Sequence, residues 1–279
     1  EADFWVYGPG TVMTPGPSIS VAGIIFEINK NVVIWGVGAG SFVGHEDSTG
    51  AEMIRSTKLA TARDLQSAEF MRHIRSEVHV VPDPMLIHVL ESRKRYKPGG
   101  KNAVTISSKI LGRGGWLTDE LEDSVLKSVA GAMTEIGGEW SALPASWIGG
   151  SYDSDVICHQ KLADLVPGLI LLEPENFDDV TSLICDFDFY ISSRLHTGVP
   201  AAGLGVKTVF FGDDKTRFMT ENWGLAEIFA GHYRAVSTDS IMQSAKHAEN
   251  AFENGGISNL VENFEQGNSV FDSLSTIFG

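Results

Sequence analysis

Two side chains that could act together on a small anion, Arg194 and His196, lie two residues apart in this sequence. They follow an apolar segment, Phe187–Ser192, that is typical of a buried parallel strand. An arginine binds carboxylate or phosphate through charge-assisted hydrogen bonds worth roughly 1.5–3 kcal/mol each, and an imidazole transfers protons near neutral pH. In extended backbone the two side chains would point to the same side, so they could serve one ligand. The alternative is structural, with Arg194 in an ion pair and His196 capping a helix.

Glycine-rich segments after two other predicted strands are candidates for close backbone contact with an anion. Gly8 and Gly10 belong to the first segment, and Gly38 belongs to the second, WGVGAG. The second does not fit a nicotinamide-dinucleotide fingerprint, because Ser41 stands where the third glycine of G-x-G-x-x-G would fall and no helix begins there. Both segments are also typical of tight turns that end a strand. They predict a crevice without identifying its ligand.

The elements that must position these residues alternate between short apolar runs and longer helical stretches. This alternation predicts βα units around parallel sheets, in which ligands bind at the carboxyl ends of the strands. A small-residue helix is expected directly after His196. Strands are predicted at 4–7, 31–35, 77–81, 103–107, 168–172, 187–192 and 207–211, and further helices at 51–74, 118–137, 153–166 and 177–185.

A basic segment that contains Pro-Gly-Gly, residues 92–102, is predicted to be a flexible linker, with phosphate binding as the alternative. We therefore expect two domains, residues 1–96 and residues 97–279. From residue 239 to the end, the pattern predicts two helices joined at a Gly-Gly pair. These helices would belong to the second domain, and the last of them would pack back on the first.

Charge and composition exclude several classes of protein. The 279 residues include 36 Asp and Glu against 21 Lys and Arg, a net charge of −15 that argues against nucleic-acid binding and against a polybasic membrane anchor. Only two cysteines are present, without a C-x-x-C motif, so neither a disulfide framework nor a zinc knuckle is supported. No apolar run is long enough to span a bilayer, and the first residues do not resemble an export signal. We expect a cytoplasmic protein.

The segment SSRLH, followed by a small-residue helix and by LGVKTVFFGDDKTRFMTENWGL, resembles the signature of the polysaccharide pyruvyl transferases. Four earlier segments agree with the family in the same order: DFWVYGPGTV, VVIWGVGAG, LATARDLQSAEFM and VHVVPDPMLI. The resemblance runs in patches from residue 2 to residue 225. It implies a transferase that takes pyruvate from phosphoenolpyruvate and forms a cyclic ketal on two hydroxyls of a polysaccharide sugar.

The resemblance also implies the roles of individual residues. His196 would transfer protons, Arg194 would bind the anionic donor, and Arg63 would contribute a second guanidinium at the cleft between the domains. The other residues carried over as substrate contacts are Ser193, Leu195, Lys215, Gly8, Gly10 and Gly38.

Two of the carried-over positions, and Asp83 in one of the matching segments, have structural alternatives. Arg63 could form an ion pair with Asp64 at the start of a helix. Asp83, at the end of a predicted strand, could be a ligand group or a turn former. Lys215 could be a surface lysine beside two aspartates.

The fold that the resemblance implies is α/β, with two Rossmann-like domains facing a cleft, similar to GT-B glycosyltransferases. The chain lacks the family's N-terminal βα region with an Asn-x-Gly-Asp turn, so the first domain is expected to be abbreviated or truncated. The segment VTISSKI also lacks an arginine that members often place after this strand. Two other functions remain open: a nucleotide-sugar glycosyltransferase, with Glu173 or Glu221 contacting the nucleotide, and a non-catalytic sugar-binding or scaffold relative.

No metal and no redox cofactor is expected. His45, Glu46 and Asp47 are consecutive on a predicted loop and would not converge on one ion. The expected partners are phosphoenolpyruvate and a sugar acceptor. A lipid-linked acceptor would bring the protein to a membrane surface without anchoring it there.

Overall fold

The computed structural model describes residues 5–8, 10–13, 18–81, 83, 99–107, 119–146 and 154–253. These residues form two compact units, one built from residues up to 83 and the other from residues 99 onward. The predicted domain boundary after residue 96 lies outside the described residues. In the part of the chain that the structure describes, no helix is long and apolar enough to cross a membrane.

A parallel five-stranded sheet forms the first unit. Its elements are β1 Trp5–Tyr7, β2 Gly10–Met13, α1 Ser18–Ile28, β3 Val32–Ala39, α2 Thr49–Ser56, β4 Leu59–Ala62, α3 Leu65–Arg72 and β5 His79–Val80. The strands lie in the order β1, β3, β4, β5, and β2 also pairs with β3. The central strand β3 is buried along its whole length, as expected for a parallel strand covered on both faces.

The single helix predicted at 51–74 is wrong, because β4 interrupts it. Ser48 caps α2 by accepting from the Ala51 N–H, and Asp64 caps α3 by accepting from the Ser67 N–H. Between the two helices, all four residues of β4 are buried and pair with β3 on one side and β5 on the other. A short apolar run buried on both faces shows no period of two, so the sequence pattern does not separate it from a buried helix.

All of the glycine-rich segment WGVGAG except its last residue, Gly40, lies inside β3, so the strand end predicted at residue 35 is also wrong. Gly36 has a φ of 56°, a left-handed conformation that glycine adopts without steric cost. Its N–H donates to Thr61 Oγ1 at 2.7 Å. The register between β3 and β4 shifts at this point, as in a β-bulge, and the strand then continues to Ala39.

A parallel six-stranded sheet forms the second unit. Its elements are β6 Lys101–Thr105, α4 Asp119–Ile136, β7 Glu139–Ala142, α5 Val156–Leu165, β8 Ile170–Leu171, α6 Phe177–Ile184, β9 Phe187–Ser192, α7 Leu195–Leu204, β10 Lys207–Gly212, α8 Asp214–Asn222, a 3₁₀ turn Ala226–Ile228, β11 Phe229–His232 and α9 Thr238–Glu253. The strand order is β11, β10, β9, β6, β7, β8. This is the Rossmann order, and it reverses between β6 and β9, so the ligand crevice of such a sheet lies where these two strands end.

The α/β prediction with parallel sheets is confirmed, with corrections at element ends. Lys101 and Asn102, which the sequence assigned to the linker, begin β6. The first predicted C-terminal helix is α9, and the second lies outside the described residues.

Candidate active site

Arg194 lies where the strand order of the second sheet reverses. It stands between the end of β9 and the start of α7, in extended conformation. The Ser192 hydroxyl accepts from the Arg194 N–H at 3.1 Å and donates to the Arg194 carbonyl oxygen at 2.8 Å. This turn fixes the backbone that carries the guanidinium at a helix N-terminus, where the peptide dipoles favour an anion.

The guanidinium of Arg194 is held by a buried carboxylate, Asp155. Asp155 Oδ1 accepts from Nη2 at 2.6 Å and from Nε at 3.1 Å, with the Asp155 side chain 0% exposed and the Arg194 side chain 13% exposed. The other oxygen, Oδ2, accepts from the backbone N–H groups of Ala145 at 3.0 Å and Ser146 at 3.1 Å. The ion pair considered for Arg194 is therefore present, and it orients the guanidinium. Asp155 is not among the residues predicted from the sequence, where its only signal is an acidic residue near the start of a predicted helix.

Cys158 and His159 lie one helical turn after Asp155. The His159 ring is 2% exposed, and its Nε2 accepts from the Ile106 N–H at 3.1 Å. Burial lowers the pKa of His159 to about 4, so the ring is neutral at pH 7. Burial raises the pKa of Cys158 to about 12, with Glu122 and Asp155 acting in the same direction. The thiol therefore stays protonated and is not a nucleophile.

Hydrogen bonds of side chains connect the strand ends at the same edge of the second sheet. Ser193 Oγ accepts from the Ser107 N–H at 2.7 Å, which joins the ends of β6 and β9. The Tyr233 hydroxyl, from the end of β11, donates to the Ser193 carbonyl oxygen at 3.5 Å. Burial raises the pKa of Tyr233 to about 12, so the hydroxyl remains a donor at neutral pH. Ser193, predicted as a substrate contact, is buried, and its hydrogen bonds connect the strands at this edge.

His196 is exposed on the first turn of α7. Because this helix begins at Leu195, which is half-buried, the expectation that Arg194 and His196 project from one face of extended backbone is wrong. They project instead from the residue before the helix and from its second residue. The predicted small-residue helix is confirmed, and it packs closely: a Cβ on Gly198 would lie 2.3 Å from Cε1 of Phe210.

Lys215 is exposed in the first turn of α8, which follows the next strand of the sheet, β10. Asp213 caps this helix by accepting from the Thr216 N–H. Because all six strands are parallel, Lys215 and Arg194 belong to the same edge of the second sheet.

Arg63 follows β4 in the first unit, and its side chain is 3% exposed. Its Nη1 donates to Asp83 Oδ2 at 3.2 Å, and its Nε lies 3.7 Å from Asp64 Oδ2. Asp64 also accepts from the Ser67 N–H at 2.7 Å and from the Ser67 hydroxyl at 2.9 Å. The ion pair considered for Arg63 is present, and Asp83 is its partner as well.

The three glycines predicted as substrate contacts have positions explained by strand packing. A Cβ on Gly8 would lie 2.2 Å from the Trp35 carbonyl oxygen, so this position excludes any side chain. Gly10 begins β2 and pairs with Val37, and Gly38 lies in β3. The predicted turn therefore passes into a strand at Gly10.

The remaining candidates are Glu221, Glu173 and the segment 45–47. Glu221 Oε1 lies 3.6 Å from Nη1 of Arg217 on the exposed side of α8, and Glu173 is exposed after β8. His45, Glu46 and Asp47 are exposed on a loop before α2. Within the described ranges, no group of three or more His, Cys, Asp and Glu side chains is placed to hold a metal ion.

Comparison with solved structures identifies the fold. The structure of a protein from Listeria monocytogenes, assigned as a UDP-N-acetylglucosamine 2-epimerase, matches this chain with a TM-score of 0.59 and 9% identity. The match covers 99% of this chain and 75% of the Listeria protein. S. aureus MnaA in complex with UDP matches with a TM-score of 0.53 and 11% identity, covering 88% of this chain and 66% of that one. The prediction of Rossmann-like domains of the GT-B type is confirmed. No curated protein sequence matches the chain.

Comparison with protein families identifies the relationship. The model of the family described as polysaccharide pyruvyl transferase matches residues 7–215, which is most of the chain and includes Arg63, Arg194, His196 and Lys215. The chain therefore belongs to the polysaccharide pyruvyl transferases, a family of transferases.

Proposed function

We propose that this transferase moves pyruvate from phosphoenolpyruvate onto two hydroxyls of one sugar, in a polysaccharide or its precursor, and releases phosphate. The observation that carries the proposal is the placement of Arg194. It lies at a helix N-terminus at the switch point of the second sheet, and Asp155 fixes its guanidinium. Such a position suits the carboxylate or phosphate of a small donor.

The reaction requires one protonation and two additions at the central carbon of the donor. The methylene carbon takes a proton and becomes a methyl group, and the first hydroxyl oxygen bonds to the central carbon and gives up its proton. The second hydroxyl oxygen then bonds to the same carbon while the carbon–oxygen bond to phosphate breaks. Of the two hydroxyl protons, one balances the proton on the methyl group and the other leaves with phosphate. Cations must hold the charges of the carboxylate and phosphate throughout.

We assign the proton transfers to His196 and the anionic groups to Arg194. The exposure of His196 on the first turn of α7, directly after Arg194, supports this pairing. Arg63 and Lys215 are proposed as further contacts of the donor. The other proposed substrate contacts are Ser193, Leu195, Gly8, Gly10 and Gly38.

The proposed reaction uses no cofactor, because the N–H groups of Arg194, Arg63 and Lys215 are proposed to bind the anionic groups of the donor. It takes place in the cytoplasm, in line with the absence of a disulfide at Cys158 and Cys185. The acceptor sugar is proposed to be polymer-bound or lipid-linked, and a lipid carrier would bring the protein to a membrane surface.

The first experiment measures phosphate release from phosphoenolpyruvate by the purified chain, with a panel of galactosides and N-acetylhexosaminides as acceptors. The Arg194→Lys variant keeps the charge but loses the planar fork, so we expect its kcat/KM to fall roughly 10- to 100-fold, equivalent to one charge-assisted hydrogen bond. Arg217→Lys is the matched control, because Arg217 makes exposed ion pairs on α8. Equal rates for both variants, or no phosphate release with any acceptor, would contradict the proposal.

The second experiment separates donor binding from proton transfer. His196→Ala should lower kcat roughly 100- to 10,000-fold while leaving the affinity for phosphoenolpyruvate within a few-fold of wild type. A thermal-shift assay distinguishes the alternative functions. Saturating phosphoenolpyruvate at about 100 times its Kd should stabilise the protein by roughly 2.7 kcal/mol. Stabilisation by a nucleotide-sugar alone would favour a glycosyltransferase, and stabilisation by neither would favour a scaffold.

A further inference from the structure

A cavity of about 390 Å³ opens in the second unit next to Asp155. It lies at the carboxyl ends of β7 and β8, where Pro144 and Leu172 line it, and the start of α5 forms another side. Ser154 and Val156 also line it, and they are the neighbours of Asp155 in the chain. The volume is within the range of small-molecule sites, roughly 300–1,000 Å³.

Much of the cavity wall is aliphatic. Val156, Ile157, Leu171 and Leu172 contribute to it. Ile157 is 44% exposed and Leu171 is 41% exposed, whereas the core side chains of the same unit are almost fully buried. Accessible aliphatic surface in a concave wall favours a ligand that presents an apolar face.

His159 supplies a hydrogen-bond donor to the same cavity. Its Nε2 accepts from the Ile106 N–H, so the neutral ring carries its proton on Nδ1. Among the described residues no acceptor lies opposite Nδ1, and this atom is not one of the fully buried polar atoms that lack a partner, so it is open to the cavity that His159 lines. An oxygen atom of a ligand in the cavity would accept its hydrogen bond.

Glu173 contributes a carboxylate to the cavity wall. It is the one charged side chain among the described residues that line it, and Gln160 and Ser154 supply further uncharged polar groups. A carboxylate repels a phosphate or a second carboxylate and accepts hydrogen bonds from hydroxyl or amide groups. The occupant should therefore be uncharged, rich in hydroxyls and apolar on one face.

We propose that this cavity binds an uncharged pyranose ring of the acceptor, with its C–H face on the aliphatic wall, a hydroxyl donating to Glu173 and an oxygen accepting from His159. This inference rests on the proposed function. Ser154 and Val156 line the cavity and flank Asp155, which holds Arg194. The sugar site and the site for the donor's anionic groups would therefore be neighbours at the start of α5.

The test measures binding of simple glycosides to the whole chain without phosphoenolpyruvate, by saturation-transfer NMR and calorimetry. The probes are methyl glycosides of galactose, N-acetylglucosamine and N-acetylmannosamine, with methyl glucuronide, uridine and UDP for comparison. We expect at least one neutral glycoside to bind and the glucuronide to bind at least tenfold more weakly. Glu173→Gln should reduce that difference. Preferential binding of uridine or UDP would overturn the proposal.

Two tryptophan substitutions on α5 form a matched pair. Ile157→Trp places a large side chain in the cavity, whereas Leu165→Trp changes a residue of similar exposure, 42%, at the far end of the same helix. Ile157→Trp should abolish glycoside binding, and Leu165→Trp should leave it unchanged, with melting temperatures recorded for both. Unchanged glycoside binding in Ile157→Trp would overturn the proposal.

Failure of this inference is distinguishable from failure of the proposed function. If phosphoenolpyruvate releases phosphate with a glycoside acceptor, and the acceptor KM is the same in Ile157→Trp as in wild type, pyruvyl transfer stands and the cavity assignment is wrong. If a neutral glycoside binds and Ile157→Trp blocks it, but no acceptor supports phosphate release, the sugar site stands and its role as acceptor site is wrong.

Discussion

Replacing Asp155 by asparagine removes the charge that holds Arg194 and keeps the size of the side chain. In the native structure one oxygen of Asp155 accepts from the guanidinium, and the other accepts from the backbone N–H groups of Ala145 and Ser146. The asparagine has only one oxygen for these two sets of donors. If it keeps the backbone bonds, its NH₂ group faces the donors of Arg194, and the guanidinium is released from its fixed orientation.

The magnitude follows from the burial of the two partners. Breaking a buried ion pair by removing one partner costs roughly 3–5 kcal/mol. Asp155 is 0% exposed, but Arg194 is 13% exposed and regains some water, so we expect the low end of this range, about 3 kcal/mol. For a chain of this size that corresponds to a fall in melting temperature of roughly 6–12 °C. Because the guanidinium also loses its orientation, the Kd for phosphoenolpyruvate should rise roughly 10- to 100-fold.

A double-mutant cycle with Arg194→Met isolates the pair. The two single variants should each destabilise the protein, and the double variant should be less destabilised than their sum by about 1–3 kcal/mol, since each single variant leaves the other group without its partner. Glu122→Gln is the matched control, because Glu122 is also a buried carboxylate, 1% exposed, with its Oε1 2.7 Å from Lys161 Nζ. It should lower the melting temperature without changing the Kd for phosphoenolpyruvate. Additivity within about 0.5 kcal/mol, or equal Kd values for the Asp155 and Glu122 variants, would refute the reasoning.

Four further outcomes are expected. Burial holds the pKa of His159 at about 4, against an ordinary value of 6.5, so between these pH values the unfolded chain binds a proton that the native ring does not bind. The free energy of unfolding should therefore drop by up to about 3 kcal/mol as the pH falls from 6.5 to 4. Thermal melts of His159→Gln should show a smaller drop. Gly198→Ala should lower the melting temperature by an amount equivalent to roughly 1–3 kcal/mol, because its Cβ meets Phe210, and Phe210→Leu in the same chain should recover part of the loss. Cys158 and Cys185 are buried, and the pKa of Cys158 is raised to about 12, so thiol reagents should label them slowly in the native protein and completely after denaturation, as counted by mass spectrometry. Phosphate release should persist after treatment with a chelator, because oriented side-chain N–H groups, and not a metal ion, are proposed to bind the donor; loss of rate restored by a divalent cation would contradict this.

The elements that could be predicted from the sequence are those with a clear hydrophobic pattern or a clear chemical signal. The strand Phe187–Ser192 and the small-residue helix after it are where the pattern placed them, because the strand is covered on both faces and the helix packs against it closely. The strand Leu59–Ala62 was not recognised within a predicted helix, since four buried residues, three of them apolar, fit either structure. The bulge at Gly36 was not predicted either, because the sequence does not distinguish a glycine with left-handed backbone inside a strand from a glycine in a turn.

The candidate site was predicted in part. Arg194 was identified from its position after an apolar strand, which is a local property of the chain. Asp155 was not, because its partner is 39 residues away in sequence and only the fold brings the end of β9 to the start of α5. His159 was missed for a similar reason: its acceptor role toward the Ile106 N–H depends on the packing of α5 against the end of β6.

Under the proposed function, the start of α5 would explain how a chain with a net charge of −15 binds an anionic donor. Asp155 cancels the charge of Arg194, so the pair contributes orientation more than net positive charge. The attraction for the donor must then come from the fixed N–H groups of the guanidinium and from the N-terminal dipole of α7, both of which act over short distances. Long-range repulsion by the acidic surface is screened beyond about 8 Å at physiological salt, whereas these short contacts are not. Affinity for phosphoenolpyruvate should therefore depend more on Asp155 than on the number of surface lysines.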